Sequence, residues 1–408
     1  MISLKKELTY YSGCFIMGLI FAFIVWLFLI VMTYGVSIVW HFIPNIFTFK
    51  IYPLIICLIG GVILGLIKIK YGESLDLMGD LFKKIKNKEK LHSENIILMS
   101  VSALVPMIFG GSIGPEAGLC CVIVVLCMWI SKYMTFFNKN IYGFYDIGLN
   151  SVFTLIFLSH IYGLVTPVTS ETNTKKKLFS NIVCLVGAVI LFYFLLTYVG
   201  GIAGLPRVES YNISNFERIW GIPLIIIGSM LGILYLIFEK YCGIFFDKFK
   251  SKYNILISCI LGGLLLGIIG TFFPLTLFSG EENMRIILET YLMYSPVFLI
   301  GIGIIKLFLT HFCIKSGWIG GPFFPTIFCG ISIGCGLSMI LGLDIAFTVS
   351  IVTAALLGVS LKKPLIVVLI LLLCFNIRII PWLIIAALIS YLIPTDWINS
   401  ENRDIANS

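Results

Sequence analysis

The chain has 408 residues, of which 59% are hydrophobic and only 12% are charged, and its formal net charge is +8. A soluble protein of this size carries about twice that share of charged residues, so the composition excludes a soluble globular protein. The mean hydropathy of +1.07 instead predicts an all-α polytopic membrane protein. We therefore predict one membrane domain over residues 1–408, with no large soluble domain.

The predicted membrane segments are apolar runs that follow one another along almost the whole chain. Several reach the roughly 20 residues that cross a bilayer, and the shorter ones are expected to be tilted, paired or incomplete spans. The runs cover residues 12–40, 51–66, 96–109, 119–130, 147–165, 178–199, 222–238, 255–278, 291–312, 327–343, 345–361 and 365–393. We expect about ten or more membrane helices from this pattern.

Lysines mark the predicted orientation. Residues 5–6 are basic, and the apolar run that follows them is too long for a signal peptide, so we expect it to remain in the mature chain. Lysine-rich loops at 83–90, 175–177 and 240–252 favour the cytoplasmic side, as does the N-terminus, whereas the charge-balanced loop 207–218 is predicted to be external. Because these lysines flank membrane spans, the positive charge predicts topology and no nucleic-acid partner.

Cysteine and histidine positions argue against a cofactor, a metal site or an enzyme. The twelve cysteines lie mostly within apolar runs, without disulfide or metal-ligand spacing, and are expected to pack as small apolar side chains. His160 and His311 lie in or near apolar helices, where a packed, hydrogen-bonded histidine is the ordinary role. We find no metalloprotease, phosphate-binding-loop or nucleophilic-serine motif.

Two glycine- and proline-containing turns interrupt the apolar runs. The first is Gly110-Gly111-Ser112-Ile113-Gly114-Pro115-Glu116, and the second is Gly320-Gly321-Pro322-Phe323-Phe324-Pro325. Each follows one apolar segment and opens another, which places a helix N-terminus within the membrane. Helix N-termini present free N–H groups and the positive end of a dipole, so two that converge would attract an anion. The turns therefore indicate anion transport.

The turns also suggest an internal repeat. The Gly72-Glu73-Ser74 segment precedes the first turn, and Gly280-Glu281-Glu282 precedes the second at a similar distance. We predict two related halves, approximately 50–205 and 220–395, of inverted topology, with broken helices that meet near the midplane. Chance recurrence of glycine and proline is the alternative. Glu281 and Glu282 are expected to be solvated loop residues.

The second turn resembles a known family. It matches the G-x-F-x-P signature of the CLC chloride channel and proton/chloride antiporter family at Gly321, Phe323 and Pro325. Residues 354–360 and Pro364 resemble the helix that follows in such proteins, and the resemblance covers roughly residues 50–395. It implies a homodimer in which each subunit has its own anion path, with chloride as the default ion.

The first turn resembles that family's G-[K/R]-E-G-P signature at Gly111, Gly114 and Pro115. Ser112 replaces the basic residue, and Ile113 replaces the glutamate that competes with the anion and carries protons in the family. Because isoleucine cannot bind a proton, this departure favours passive, channel-like conduction over proton-coupled exchange. The resemblance implies an anion path formed by Ser112, Ile113, Gly114, Phe323 and Phe324.

Further departures concern the rest of the implied path. Pro322 lacks an N–H group, which removes one expected donor. Ser74 lies near the place of the family's serine-bearing segment, but that motif is not recognisable. Tyr391 is more simply an interfacial or packing aromatic than the family's late pore tyrosine.

Glu116 is the main single-residue candidate. It is an ionisable residue just inside an apolar helix, where charge is costly and often functional. It is therefore a candidate gate or proton carrier. The alternatives are a carboxylate that caps its own helix and an exposed position in a funnel.

The sequence thus predicts transport of an inorganic anion, with passive conduction ahead of proton-coupled antiport through Glu116. A secondary transporter of another family is a further alternative, which a larger cavity with several polar side chains would favour. A membrane-embedded enzyme would need a polar pocket joining His160, Glu116 and Ser112. Lysine-, isoleucine- and asparagine-rich usage suggests a bacterial plasma membrane as the location.

Overall fold

The computed structural model describes residues 2–46, 49–71, 96–133, 141–158, 175–201, 205–208, 213–372 and 374–398. These residues form fifteen α-helices, joined in places by short 3₁₀ or π segments. In chain order the helices are α1 Ile2–Ser37, α2 Ile43–Ile46, α3 Tyr52–Tyr71, α4 Ile96–Ile108, α5 Glu116–Tyr133, α6 Ile141–Ile156, α7 Lys175–Tyr198, α8 Asn215–Lys252, α9 Ile255–Phe272, α10 Glu281–Thr290, α11 Pro296–Ser316, α12 Phe323–Leu341, α13 Ile345–Leu361, α14 Pro364–Leu371 and α15 Ile380–Tyr391.

Seven of the described helices are long and apolar enough to cross a membrane, and five shorter apolar helices have 10–17 residues. The predicted all-α polytopic fold is therefore confirmed. The mixture of complete and shorter apolar helices also agrees with the unequal lengths of the apolar runs. Among the described residues the only β-type contacts are two isolated bridges, Gly114 with Gly321 and Val208 with Phe375.

Local sequence signals fix where α11 begins and ends. The Ser295 hydroxyl accepts the N–H of Phe298 at 3.2 Å, and Pro296 occupies the first helical position, where its missing N–H costs nothing. At the other end Gly317 has φ +109°, a left-handed conformation that glycine adopts without strain. This glycine stops the helix and releases the chain into the second turn.

Glycines on two facing helices allow α3 and α9 to pack closely. A Cβ atom on Gly61 would lie 2.6 Å from the carbonyl oxygen of Cys259, and one on Gly267 would lie 2.6 Å from the Cα of Leu54. Small residues at such crossings bring two backbones together, which is a common way to join helices in membranes. Since α3 lies in the first predicted half and α9 in the second, this pair joins the halves.

The core contains a large cluster and a smaller one. The large cluster includes α12 and α13, whose residues are buried along most of their length. The smaller cluster surrounds Trp318, whose indole N–H donates to the Cys259 carbonyl at 3.0 Å. All twelve cysteines are buried, in agreement with their predicted packing role.

Candidate functional site

The two predicted turns meet. The Gly114 N–H donates to the Gly321 carbonyl at 2.7 Å, and the Gly321 N–H donates to the Gly114 carbonyl at 2.8 Å. Each glycine is followed by a proline and then by the first residue of a helix, α5 or α12. The reciprocal bridge therefore brings the N-termini of α5 and α12 together.

The bridge also shows which residues of the turns correspond in space. Gly114-Pro115-Glu116 lies opposite Gly321-Pro322-Phe323, whereas the sequence repeat pairs Pro115 with Pro325. Pro115 and Pro322 each stand immediately before a helix, and Pro325 lies within the first turn of α12. A proline is accepted in any of these places, so proline spacing alone does not define the register.

Glu116 connects the two helix starts. Its side chain is fully buried, and its Oε1 accepts the N–H of Phe323, the first residue of α12, at 2.7 Å. The backbone N–H groups of Phe324 and of Glu116 itself also interact with this carboxylate. Oε2 has no hydrogen-bond partner within the described ranges. A negative group is thus held at the positive ends of two helices.

Glycines provide the space that the carboxylate occupies. A Cβ atom on Gly114 would lie 2.7 Å from the Cδ and 2.8 Å from the Oε1 of Glu116. A Cβ atom on Gly321 would overlap the Cγ, Cδ and Oε1 of the same side chain. Glycine is therefore required at both bridge positions for the Glu116 carboxylate to reach α12.

The carboxylate stands where a bound anion would be expected. The bridge already uses the N–H groups of Gly114 and Gly321, and neither Pro115 nor Pro322 has one to offer. Phe323 therefore presents the first uncommitted N–H group of α12, and Glu116 accepts it. Such an N–H group at a helix start binds a small anion as readily as a carboxylate.

Aromatic side chains enclose the start of α12. The rings of Phe157 and Phe324 stack with centroids 5.1 Å apart, and Phe323 contacts the rings of Phe153 and Phe157 edge-on at 6.1 Å. These rings lie at the helix start where Phe323 donates to Glu116, and the Glu116 side chain is fully buried. Interactions between the charge and the helix dipoles are correspondingly stronger than in water.

Ser112 and Ile113 make contacts of their own. The Ser112 hydroxyl is 3.5 Å from the hydroxyl of Thr310, and the serine is fully buried. Ile113 is also fully buried, and it belongs to the smaller core cluster with Trp318. Of the residues proposed for the anion path, the structure brings Gly114, Phe323 and Phe324 around Glu116, together with the motif residue Gly321.

Lys306 is a buried cation that the sequence reasoning did not single out. Its Nζ donates to the carbonyls of Thr276, Leu277 and Phe278 at 2.8, 3.1 and 2.8 Å, and the side chain is fully buried in α11. A lysine within a long apolar run is itself a signal of function or of a specific partner. Here the ammonium fixes the segment that leads into α10.

Glu281 differs from the expectation of a solvated loop residue. It is the first residue of α10, and its Oε1 is buried without a hydrogen-bond partner in the described part of the chain. Glu282, its neighbour, is exposed as expected. The difference arises because α10 begins at this point, directing adjacent side chains to different sides.

Several other predicted positions have no role at this site. Tyr391 is 42% exposed at the end of α15. His311 is buried, and its ring lies edge-on to that of Tyr235 with centroids 4.2 Å apart. The Gly72-Glu73-Ser74 segment and His160 lie outside the described residues.

The chain is similar to known proteins in both sequence and fold. A family model described as "Voltage gated chloride channel" matches residues 84–395. The curated "Chloride channel protein CLC-e" of Arabidopsis thaliana is 24% identical over 281 residues, which cover 63% of this chain and 39% of that protein. The chain thus spans well under half the length of this relative.

Three solved structures share the fold. A CLC-type fluoride/proton antiporter has a TM-score of 0.73 at 18% identity, covering 94% of this chain and 95% of its own. A slow cyanobacterial Cl⁻/H⁺ antiporter has a TM-score of 0.78 at 16% identity, covering 94% and 93%. A eukaryotic CLC transporter has a TM-score of 0.74 at 13% identity, covering 95% and 72%.

Proposed function

Because this chain belongs to the voltage-gated chloride channel family, we propose that it exchanges a small inorganic anion for protons across the membrane. Glu116 is the central group in this proposal: it occupies the anion site when charged and carries a proton when neutral. Chloride is the default anion. The proposed activity is transport and includes no chemical conversion of a substrate.

The observation that carries the proposal is the hydrogen bond from the Phe323 N–H to the Glu116 carboxylate. A carboxylate and a halide compete for such a donor, because both are anions that a helix N-terminus stabilises. The unpartnered Oε2 offers an atom at which a proton can bind.

Protonation of Glu116 links the two fluxes. A neutral carboxyl group loses most of its attraction to the helix dipoles, so an incoming anion can replace it at the Phe323 N–H. Loss of the proton restores the negative charge, and the carboxylate then displaces the anion. Alternation between these states couples the movement of anions to the movement of protons.

Relatives provide secondary support. Two of the similar solved structures are described as anion/proton antiporters, one for fluoride and one for chloride. Their identity to this chain is too low to transfer the ion or the coupling by itself. It is the position of Glu116 in this chain that favours exchange.

Passive conduction is the second candidate. It is favoured by Ile113, which stands at the sequence position of the family's gating glutamate and has no charge to move. In that case the Glu116 carboxylate is a fixed structural group at the helix start, and anion flux carries no protons.

The remaining expectations from the sequence stay predictions. They are a homodimer with one anion path in each subunit, a bacterial plasma membrane and a cytoplasmic N-terminus. By the same topology, residues near Arg207 face the external side.

The test is chloride efflux from liposomes containing the purified protein, with external pH recorded at the same time. For the wild type we expect chloride efflux to drive proton uptake into the liposomes. Glu116→Gln should retain chloride efflux but lose proton movement and acid dependence. Glu282→Gln, which removes an exposed carboxylate, is the control and should behave as wild type.

Two outcomes would contradict the proposal. Passive conduction would be established if wild-type chloride efflux moved no protons and if Glu116→Gln left the pH dependence of that efflux unchanged. If no chloride moves, repeating the assay with fluoride, bromide and nitrate tests the anion, and failure of all four rejects inorganic anion transport of this kind.

A further inference from the structure

Helix α8 is longer than one membrane span. Its 38 residues, Asn215–Lys252, extend about 57 Å at about 1.5 Å per residue. The hydrocarbon core of a bilayer is about 30 Å thick, and even a tilt of about 40° leaves about 44 Å of this helix along the membrane normal. The apolar run ends at Phe238. The charged C-terminal segment that follows is therefore the part of α8 that reaches the membrane surface.

The C-terminal segment of α8 packs one face against α11. Cys242 and Phe246 are buried, and the Phe246 ring contacts that of Phe312 edge-on with centroids 4.8 Å apart. Glu239 forms an ion pair with Lys315 of α11 at 3.8 Å. These contacts fix the rotation of the segment about its axis, so a different face points away from the protein.

This outer face carries four exposed side chains in one line, which we call the α8 stripe. They are Tyr241, Phe245, Lys248 and Lys252, and their spacing of four, three and four residues keeps them on one side of the helix. Tyr241 is 61% exposed and Phe245 is 47% exposed. Asp247 lies about 100° round the helix from Lys248, outside the α8 stripe.

The order of side chains in the α8 stripe matches the layers of a bilayer surface. Tyrosine is enriched where hydrocarbon meets water, and Phe245 adds an apolar ring beside Tyr241. Lys248 and Lys252 follow Phe245 by about 4.5 Å and about 10 Å along the helix axis. The headgroup layer is about 5–8 Å thick, and lysine side chains bend towards the phosphates. The α8 stripe thus presents two ammonium groups at the level of the lipid phosphates.

Neighbouring helix ends add positive charge on the same side of the protein. A Cβ atom on Gly317, where α11 ends, would lie 3.3 Å from the Nζ of Lys68, and Lys70 is exposed in the last turn of α3. Such a surface attracts anionic lipids in preference to zwitterionic ones. Lysines in a last turn also complement the helix dipole, but that effect applies equally to Lys250 and Lys252 of α8.

We propose that the α8 stripe binds an anionic phospholipid of the adjacent leaflet. Lys248 and Lys252 contact the phosphate-containing headgroup, and Tyr241 and Phe245 lie beside the upper part of the acyl chains. The bound lipid fills the groove between the outer face of α8 and the bilayer surface without entering the anion path. This inference is independent of the role proposed for Glu116.

The test is native mass spectrometry of the full chain in detergent, titrated with phosphatidylglycerol or with phosphatidylcholine. One lysine near an anionic surface contributes about fivefold in affinity. Lys248→Gln/Lys252→Gln should therefore weaken binding of the first phosphatidylglycerol at least tenfold, while the affinity for phosphatidylcholine stays within about twofold. Both lysines are exposed, so the thermal midpoint should remain that of wild type.

The matched control is Lys240→Gln/Lys250→Gln, which removes two lysines from the same segment but outside the α8 stripe. Lys240 and Lys250 are partly buried, and Lys250 belongs to the last turn as Lys252 does. This control should keep the affinity for phosphatidylglycerol within about threefold of wild type. Phe245→Ala should weaken both lipids alike, because it removes apolar surface and no charge.

The outcomes decide whether the α8 stripe is a lipid site. Selective loss of phosphatidylglycerol in Lys248→Gln/Lys252→Gln, with a normal thermal midpoint, supports the proposal. Equal losses in the two double variants would show diffuse attraction to a basic helix, and no loss in either would leave the lysines without this role. Displacement of phosphatidylglycerol by millimolar inorganic phosphate would assign the lysines to a soluble anion. Each of these three results overturns the proposal.

Discussion

Glu116 is the first residue of α5, where a carboxylate ordinarily accepts hydrogen bonds from the N–H groups of its own helix. In this protein its Oε1 also accepts the N–H of Phe323 from α12. A group that could have been a local helix cap is therefore shared between two helix starts. This sharing makes the carboxylate an internal competitor for the site that we assign to the anion.

The first prediction concerns the glycine that admits this carboxylate. Gly321→Ala would place a methyl group against the Cγ, Cδ and Oε1 of Glu116, at a position where overpacking costs about 1–3 kcal/mol. We expect the carboxylate to leave the Phe323 N–H and the acid dependence to weaken. The ratio of chloride flux at pH 5 to that at pH 7 should fall at least threefold in liposomes.

The control for this prediction is Gly301→Ala on α11. A Cβ atom at Gly301 meets nothing within 4 Å, so the substitution adds helix propensity without a clash. It should keep the wild-type flux ratio. An unchanged ratio in Gly321→Ala as well would show that the position of the carboxylate does not set the acid dependence.

The role of Glu116 was only partly predictable from sequence. An ionisable residue at the start of an apolar helix can be recognised as a candidate from its neighbours alone. Its partner cannot, because the hydrogen bond joins residues separated by 207 positions. Similarly, the motif places Ile113 at the sequence position of the family's glutamate, but the motif gives no sign that Ile113 belongs to the core cluster with Trp318.

At the scale of elements, the segment between α9 and α10 is held by one buried cation. Lys306 on α11 donates to three successive carbonyls, those of Thr276, Leu277 and Phe278. Phe278 has φ +60°, which is uncommon for a bulky residue, and its N–H donates to the Gly110 carbonyl at 3.1 Å. Lys306 thus stabilises a strained connection that joins α10 to the first turn.

The second prediction removes this cation. Lys306→Met keeps the unbranched chain as far as Cε but leaves three carbonyls without their charged donor, so we expect a loss of about 3 kcal/mol or more in stability. Thermal unfolding in detergent should show a lower midpoint. Lys315→Met on the same helix is the control, since Lys315 forms only a partly exposed ion pair with Glu239 at 3.8 Å and should contribute at most about 1 kcal/mol. Equal midpoints for the two variants would contradict the role of Lys306.

Long apolar elements were predictable, and short amphipathic ones were not. Helix α11 follows from the apolar run 291–312, with a recognisable cap at Ser295. Helix α8 contains the run 222–238 but continues to Lys252, so residues 240–252, predicted as a loop, are helical. The ten-residue helix α10 has charged residues in its first turn. Because it lies between apolar runs, the sequence predicts a loop there. Its position depends on tertiary contacts, above all on the carbonyls held by Lys306, and these have no signature in the local sequence.

At the scale of the whole molecule, the two predicted halves are joined at the bridge between the turns and again where α3 crosses α9. The pairing of α3 with α9 is the most extensive helix contact in the described part of the chain. It depends on glycines of both helices, including Gly61 on α3 and Gly267 on α9. The bridge between Gly114 and Gly321 has few contacts of its own, so its geometry depends on helix pairs such as this one.

The last prediction tests whether this crossing supports the whole assembly. Gly61→Ala would place a Cβ 2.6 Å from the Cys259 carbonyl oxygen and 3.1 Å from the Cα of Ile260, both of which belong to the backbone of α9. Because backbone atoms cannot rotate away as a side chain can, the helices must separate. We expect a loss of about 1–3 kcal/mol, measured as a lower thermal midpoint and a smaller monodisperse fraction in detergent. Gly243→Ala on α8 is the matched control, since its nearest neighbour would be the Lys315 Cε at 3.9 Å.

If the crossing holds the halves in register, Gly61→Ala should also weaken proton coupling, because the start of α12 would shift relative to Glu116. Normal stability and coupling in Gly61→Ala would mean that contacts elsewhere position the two turns.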